Sequence, residues 1–246
     1  MAMIRSRQLV RRCLTVLGLT WAAGVAADQA PLRLLTFNEP PWVDAEQTPL
    51  QGPTIELIEQ LFVTAGVPYS LEVLPLKRAL KLATSQAGTC VFPIERSQER
   101  ETSLRWISPL VVSRYGLYTP PGHTLRLQTL EDARPYRIGS YLGSGLGEYL
   151  QVRGFNVTEV SSAKLGPNML EHKRFDLWVS DTRSAEVVSA TGKQLLGEPS
   201  LVFLTTLRAM GCHPDTPTSS LELLHTGLLH LLQQPAWRAR VSSAAP

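Results

Sequence analysis

Short apolar runs that alternate with helical patterns constrain the fold of this chain more than any other feature. Residues 32–37 and 69–74 have strand patterns, residues 53–65 and 75–85 carry apolar side chains at helical spacing, and residues 90–93 form another apolar strand. A strand, helix, strand order of this kind predicts parallel βαβ units. The chain is therefore predicted to have an α/β fold.

A second series of strand and helix patterns follows a break at Pro120-Pro121-Gly122, which ends any regular element. Its strands are predicted at 137–141, 156–160 and 176–180, and its helices at 144–153, 163–172 and from Thr182 onward. Two α/β lobes of similar build are therefore predicted. The leucine-rich helices predicted at 219–234 and around Trp237 could close either lobe.

The first 27 residues have the organisation of a secretory signal peptide. Four arginines between Arg5 and Arg12 precede an apolar run at 13–25, which ends in small residues. The run is shorter than the roughly 20 apolar residues that a membrane-spanning helix needs. We expect cleavage after Ala27 and export of the remaining residues to the periplasm.

The charge balance changes once the predicted signal peptide is set aside. The whole chain has a formal net charge of +3, but without the four leader arginines 20 of the 24 Lys and Arg residues remain, against 21 Asp and Glu residues. The remaining chain is nearly neutral. A nucleic-acid partner, which would require a basic surface, is therefore not expected.

Common catalytic and cofactor signatures are missing from the sequence. There is no G-x-S-x-G nucleophile elbow and no H-E-x-x-H motif, and the spacing of His225 and His230 puts them off a shared helical face. The glycines of residues 143–147 do not have the G-x-G-x-x-G spacing of a dinucleotide site. No cofactor and no metal ion are expected.

Five short motifs lie in a fixed order along the two predicted lobes. They are Asn38-Glu39-Pro40-Pro41-Trp42, Gly52 with Glu56, Gln98-Glu99-Arg100 followed by Trp106-Ile107-Ser108-Pro109, Gly143-Ser144-Gly145, and Arg174-Phe175-Asp176-Leu177-Trp178 leading into Ser180-Asp181-Thr182. Their order and spacing resemble the family 3 periplasmic solute-binding proteins, the polar-amino-acid binders of ABC import systems. The resemblance covers nearly the whole chain after the predicted leader.

The resemblance implies a type II periplasmic binding fold with two lobes, each a mostly parallel sheet flanked by helices. Residues 28–118 and 207–246 would form lobe 1, and residues 119–206 would form lobe 2. The chain would cross between the lobes twice, near residues 118–121 and 204–208. The C-terminal helices would then return to lobe 1.

The resemblance also implies a clamp for an amino acid between the lobes. Arg100 matches the arginine that binds the ligand carboxylate, for which a guanidinium offers a planar fork of donors. Ser144 and Gly145, at a helix start, would bind the same anion from lobe 2. Asp181 matches the acid that receives the α-ammonium group. The ordinary alternatives are an ion pair for Arg100 and helix caps for Ser144 and Asp181.

Further contacts are implied around this clamp. Asn38, Glu39 and Trp42 lie in the loop after the first strand, where family members place a side-chain contact and an aromatic wall. Tyr141 lies where some relatives carry a side chain that reaches the ligand. Packing against Pro41 is the ordinary alternative for Trp42.

The sequence departs from the family pattern after the third strand. Pro93 and Glu95 stand where amino-acid binders have small residues, and Glu95 adds a negative charge about where a ligand carboxylate would enter. A cationic amine or a larger zwitterion suits Glu95 and Asp181 better than a neutral α-amino acid. Glu95 also raises an alternative function, because dehydratases of the same fold use a carboxylate in the cleft as acid or base.

Two cysteines remain after the predicted leader, Cys90 and Cys212, in a compartment where disulfides persist. Their spacing alone favours two small buried thiols. The resemblance instead implies that the strand ending at Cys212 lies beside the strand beginning at Cys90, which would allow a disulfide. Both alternatives stay open at this point.

These inferences together predict a periplasmic protein that captures a small charged solute, an amino acid or a related amine or carboxylate, by hinge closure. We expect a monomer that serves ABC import or sensing, with an inner-membrane permease or a sensor as its partner. It is expected not to be an enzyme. The alternative is a periplasmic lyase that uses Glu95 as its acid or base.

Overall fold

The computed structural model describes residues 30–191 and 196–242. The predicted signal peptide and its cleavage site therefore lie outside the described residues. Among the helices of those two ranges, none combines the length and the apolar character that crossing a membrane requires.

Strands and helices alternate along the described part of the chain. The strands are β1 (Leu32–Thr36), β2 (Tyr69–Val73), β3 (Thr89–Glu95), β4 (Arg105–Tyr118), β5 (Ile138–Tyr141), β6 (Val157–Val160), β7 (Leu177–Asp181) and β8 (Leu201–Cys212). The α-helices are α1 (Pro53–Ala65), α2 (Leu76–Ser85), α3 (Gly145–Val152), α4 (Leu165–Glu171), α5 (Thr182–Thr191), α6 (Thr218–Gln233) and α7 (Pro235–Ser242). The predicted α/β order is confirmed.

The strands form one sheet in the order β2-β1-β3-β8-β4-β7-β5-β6. Strand β1 pairs in parallel with β2 and β3, and β5 pairs in parallel with β6 and β7. The long strands β4 and β8 run antiparallel to each other and connect the two parallel groups. The first half of the molecule is thus built on β1–β3 and the second half on β5–β7.

Each half has its own apolar core on the faces of the sheet. Helices α1, α6 and α7 cover the first half, where leucine and isoleucine side chains of α1 and α6 interlock. Helix α1 begins with Pro53, whose fixed φ suits the first helical turn, and ends before Gly66, which has a left-handed φ of 64°. In α6, a Cβ on Gly227 would lie 3.2 Å from Leu61, so glycine permits the close approach of α1.

The predicted lobe boundaries at residues 118/119 and 206/207 stay predictions. Two facts bear on them. Residues 115–118 of β4 already pair with β7 of the second half, and α6 and α7 pack in the core of the first half. The two long strands are therefore the connections between the halves.

Cys90 on β3 lies directly opposite Cys212 on β8, and the two are joined by a disulfide with an S–S distance of 2.06 Å. The pairing that the family resemblance implied is confirmed. The alternative prediction, that the two cysteines are separate buried thiols, is wrong. The bond ties the C-terminal part of the chain to the first half of the sheet.

Replacing Cys90 and Cys212 together by serine should lower the free energy of unfolding by about 2–5 kcal/mol. The reason is that the bond joins residues 122 positions apart and so restricts the unfolded chain strongly. Urea unfolding followed by circular dichroism measures the loss. A reductant should destabilise the unaltered protein similarly and leave the double variant unchanged; an unshifted urea midpoint in the double variant would contradict a stabilising bond.

Candidate functional site

A cavity of about 300 Å³ lies between the two halves. Its wall is made by residues at the carboxyl ends of the parallel strands, where open α/β sheets place their ligands. Apolar side chains form much of the wall, among them Leu74, Leu76, Leu146, Trp178 and Val188. This size and this mixed lining are those of a site for a small molecule.

Most of the residues predicted to bind a ligand line this cavity. They are Asn38, Glu39, Glu95, Tyr141, Ser144 and Asp181. The other three, Trp42, Arg100 and Gly145, contact lining residues from behind. The structure thus brings all nine predicted residues together but places three of them outside the cavity wall.

Glu95, the last residue of β3, connects the two halves through its buried carboxylate. Its Oε1 atom accepts a hydrogen bond of 2.9 Å from the Tyr115 hydroxyl. Its Oε2 atom accepts one of 3.1 Å from the backbone N–H of Gly145 and lies 3.8 Å from Nη1 of Arg100. Of the groups that the sequence assigned to a ligand carboxylate, the Gly145 N–H therefore donates to Glu95, and the Arg100 guanidinium lies beside it.

Arg100 is buried at the junction of the halves, but its guanidinium bonds to protein acceptors. Its Nε atom donates to the Glu148 carboxylate at 2.8 Å, and its Nη2 atom donates to the carbonyl oxygen of Gly143 at 2.7 Å. The side chain keeps only 7% of its surface exposed. Two nitrogens of the fork that was expected to face the cleft are used within the protein, and the third, Nη1, is buried without a hydrogen-bond partner among the described residues. Arg100 is therefore a link between the halves.

The start of helix α3 has few free donors. Ser144 caps the helix, since its hydroxyl accepts from the N–H of Gly147, and its own N–H donates to the carbonyl of Tyr141. The expectation that the Ser144 N–H binds a ligand is therefore corrected. A Cβ at position 145 would lie 3.1 Å from Cβ of Glu95, so the close seat of that carboxylate favours glycine there.

Asp181 closes strand β7 and faces the cavity with 2% of its surface exposed. Its Oδ1 atom accepts hydrogen bonds of 3.0 Å from the Trp42 indole and from the N–H of Ser184. Among the residues that the structure describes, no donor reaches the buried Oδ2 atom. Asp181 thus combines the predicted cap with an unpaired oxygen in the site.

Arg208, which the sequence analysis did not select, is the largest fully buried polar side chain near the cavity. Its Nη atoms donate to the two carboxylate oxygens of Glu39 at 2.6 and 2.7 Å, and its Nε atom donates to Ser113 at 2.9 Å. Glu39, expected to contact the ligand, is thus held by an internal partner. An arginine directly between the apolar residues Leu207 and Ala209 of a strand is the sequence signal that could have identified it.

Two aromatic rings enclose this ion pair. The Arg208 guanidinium carbon lies 5.9 Å from the centre of the Trp42 ring and 5.7 Å from that of Tyr115, distances that favour a cation over an aromatic face. Trp42 is 3% exposed and packs in the core of the first half. Its predicted role as a wall that stacks on the ligand is therefore corrected, because the ring covers Arg208 instead.

The loop after β1 and the end of β5 complete the wall. Asn38 accepts a hydrogen bond of 2.9 Å from the N–H of Ala45, so it also holds the loop that carries Glu39. Tyr141 lies with its ring centre 6.2 Å from that of Phe37, and burial raises the pKa of its phenol. Both side chains still line the cavity.

The charges of the site affect the ionisation of its groups. Burial by itself raises the pKa of the Glu95 carboxyl, but Arg208, Arg100 and backbone N–H donors outweigh burial and hold that pKa below its usual value. Burial raises the pKa of Glu39, and its contact with Arg208 opposes that shift. The pKa of Arg208 lies well above its usual range, because nearby carboxylates outweigh burial. We conclude that Glu95 and Arg208 are charged at neutral pH.

Comparison with known proteins identifies the fold. No protein-family model matches the chain, and no curated protein matches it by sequence. Among solved structures, a histidine kinase sensor domain with similarity to periplasmic binding proteins superposes with a TM-score of 0.75 at 14% identity, covering 86% of this chain and 94% of that one.

Two further solved structures are similar over comparable lengths. An amino acid ABC transporter substrate-binding protein from Streptococcus pneumoniae, bound to L-arginine, has a TM-score of 0.70 at 14% identity and covers 87% of this chain and 94% of its own. The GluR0 ligand-binding core from Nostoc punctiforme, in complex with L-glutamate, has a TM-score of 0.69 at 18% identity, with coverages of 85% and 97%. The chain has the two-lobed fold of periplasmic binding proteins, as the family 3 resemblance implied.

Replacing Glu95 by glutamine should lower the melting temperature at neutral pH and much less in acid. The pKa of Glu95 is depressed in the folded state, so its charge stabilises the fold above the usual pKa of 4.5, and that contribution is lost as the pH falls further. Thermal unfolding of both proteins between pH 7 and pH 3 measures the difference. Glu159→Gln, at an exposed position on β6, is the control and should track the unaltered protein. A difference independent of pH would contradict the charge effect.

Replacing Arg208 by methionine should lower the free energy of unfolding by about 3–5 kcal/mol, since it leaves the Glu39 carboxylate buried without its partner. Adding Glu39→Leu should recover much of the loss, because the unpaired charge is then removed. Urea unfolding of the two single variants and the double variant measures the coupling. Additive losses would show that the two side chains do not act as a pair.

Proposed function

We infer that this protein captures a small charged solute in the cavity between its halves, for import or for sensing. The observation that carries the proposal is that Asp181, which lines a cavity of about 300 Å³, has a buried Oδ2 atom without a donor among the described residues. A buried carboxylate oxygen without a donor is costly, so it favours a bound group that supplies one. The solute would thus complete the hydrogen bonding of the site.

Similar structures support a solute of the amino-acid class or a related amine. The Streptococcus pneumoniae protein binds L-arginine and the Nostoc punctiforme core binds L-glutamate. One of these structures belongs to an ABC transporter, whereas another is the sensor domain of a histidine kinase. Both import and sensing are therefore kept within the proposal.

Contacts that cross between the halves indicate how a solute would act. The Trp42 indole reaches Asp181, Glu95 reaches Gly145, and Lys164 forms an ion pair with Glu46. Hinge opening of a two-lobed protein would break such contacts. A solute that touches both halves adds to them and shifts the population toward the closed form.

The lyase alternative lacks a comparable observation in its favour. A general acid or base works best with a pKa near the working pH. The pKa of Glu95 is held below its usual value, and both of its oxygens accept hydrogen bonds from the protein. A carboxylate so engaged is poorly placed to exchange protons with a substrate, and we therefore do not adopt this function.

The cellular setting forms part of the same proposal. Periplasmic location follows from the predicted signal peptide, and a permease or a sensor of the inner membrane would be the partner. The protein would act as a monomer, because one chain supplies both walls of the cavity.

A thermal-shift screen with amino acids, amines and small carboxylates tests the proposal. A solute present at about 100 times its Kd should stabilise the protein by about 2.7 kcal/mol, and mass spectrometry should find it unchanged. Asp181→Asn should weaken the binding of the solute that responds in the screen by about 10-fold to 100-fold. Asp176→Asn, which alters a surface ion pair with Arg137, is the matched control and should bind normally. Conversion of the solute, or equal binding by both variants, would contradict the proposal.

A further inference from the structure

We propose that Glu95 fills the anion position of the cleft from within the protein, and that the solute is consequently a small organic cation without a carboxylate. A primary amine or a guanidinium group held by Asp181 is the chemistry we assign. This inference rests on the proposed function, because it names the class of solute for the same site.

The first support is that Glu95 uses the donors that a bound carboxylate would need. The Gly145 N–H at the start of α3 and the Tyr115 hydroxyl both donate to it, at 3.1 and 2.9 Å. The Nε and Nη2 atoms of Arg100 donate to Glu148 and to the Gly143 carbonyl, and its buried Nη1 atom, which has no hydrogen-bond partner among the described residues, lies 3.8 Å from Oε2 of Glu95. A solute carboxylate would therefore have to displace an internal carboxylate before it could bind there.

The second support is the balance of charge around the cavity. Three carboxylates face it, those of Glu39, Glu95 and Asp181. Of the two buried guanidinium groups beside them, Arg208 is paired with Glu39, and Arg100 lies next to Glu95 and donates to Glu148. Lys164 also lines the cavity, but its ammonium group is paired with Glu46. Asp181 is left without a cationic partner among these groups. An added anion would be repelled, whereas an added cation would balance the site.

The third support is the geometry of Asp181 and its surroundings. The unpaired Oδ2 atom is a strong acceptor in a buried position, where a charge-assisted hydrogen bond from an ammonium or guanidinium group is favourable. The rings of Tyr141 and Trp178 also line the cavity and can pack against a cation. Leu74 and Leu76 offer an apolar surface for the carbon chain of the same solute.

The ionisation of Glu95 agrees with this assignment. Two arginines and backbone donors outweigh the effect of burial and hold the pKa of Glu95 below its usual value. The side chain is therefore a permanent anion at neutral pH. It does not become a neutral acid that could accept a second carboxylate beside it.

Matched pairs of probes test the assignment on the unaltered protein. Each pair consists of an amine and the α-amino acid that differs from it only by a carboxylate: agmatine and L-arginine, cadaverine and L-lysine, tyramine and L-tyrosine. Isothermal titration calorimetry should find that the amine of at least one pair binds about 100-fold or more tightly than its amino acid, since juxtaposed like charges are strongly unfavourable.

Glu95→Ser should reverse this preference, because it frees the Gly145 N–H and removes the carboxylate that lies 3.8 Å from Nη1 of Arg100. The variant should gain binding of the amino acid of the pair. Glu99→Gln is the matched control, since Glu99 lies near Arg153 and outside the cavity wall, and it should behave like the unaltered protein. Where the serine variant does not fold, Glu95→Gln keeps the size of the side chain and should narrow the preference.

The outcomes distinguish this inference from the function on which it rests. If the unaltered protein binds an amino acid as tightly as its amine, the inference is overturned while solute binding stands. If the Glu95 variants fold and keep the full preference for the amine, Glu95 does not occupy the anion position and the inference also fails. If neither the unaltered protein nor the Glu95 variants bind any of the probes, both the inference and the proposed function are contradicted.

Discussion

A buried carboxylate between the two halves is the interaction on which the rest of this site depends. A charge in such a place is stable only when donors surround it. Glu95 obtains them from both halves: the Tyr115 hydroxyl on a connecting strand, the Gly145 N–H on a helix of the second half, and the guanidinium of Arg100 nearby. The position at which a binding protein would receive an anion is thereby occupied by the chain itself.

The second buried ion pair shapes the other wall. Arg208 and Glu39 form a bidentate contact beneath the loop that follows β1, and the rings of Trp42 and Tyr115 cover it. Bidentate geometry fixes the orientation of both side chains as well as their charge. Trp42 in turn donates to Oδ1 of Asp181, a residue that lines the cavity, whereas the buried Oδ2 atom has no donor among the described residues. The two pairs thus leave one unbalanced acceptor in the site.

Local patterns in the sequence were sufficient to predict the α/β order of strands and helices. The long-range hydrogen-bond partners of the site could not be predicted from them. The alternation of strands and helices follows from apolar spacing within each segment, and the resemblance then placed Cys90 beside Cys212. The partnership of Glu39 with Arg208 joins residues 169 positions apart, and nothing in either segment indicates the other. Glu95 stood out as a charge where a small residue was expected, but its donors come from two other elements that only the folded chain brings close.

Two crystal structures of the protein, one from crystals soaked with agmatine and one from crystals soaked with L-arginine, test the central claim most directly. With agmatine, the guanidinium or ammonium group should lie within hydrogen-bond distance of Asp181 Oδ2, and the Glu95 carboxylate should remain on the Gly145 N–H; L-arginine should leave the cavity without ligand density. A structure in which L-arginine is bound, with its carboxylate on the Gly145 N–H and the Glu95 side chain displaced, would contradict the claim.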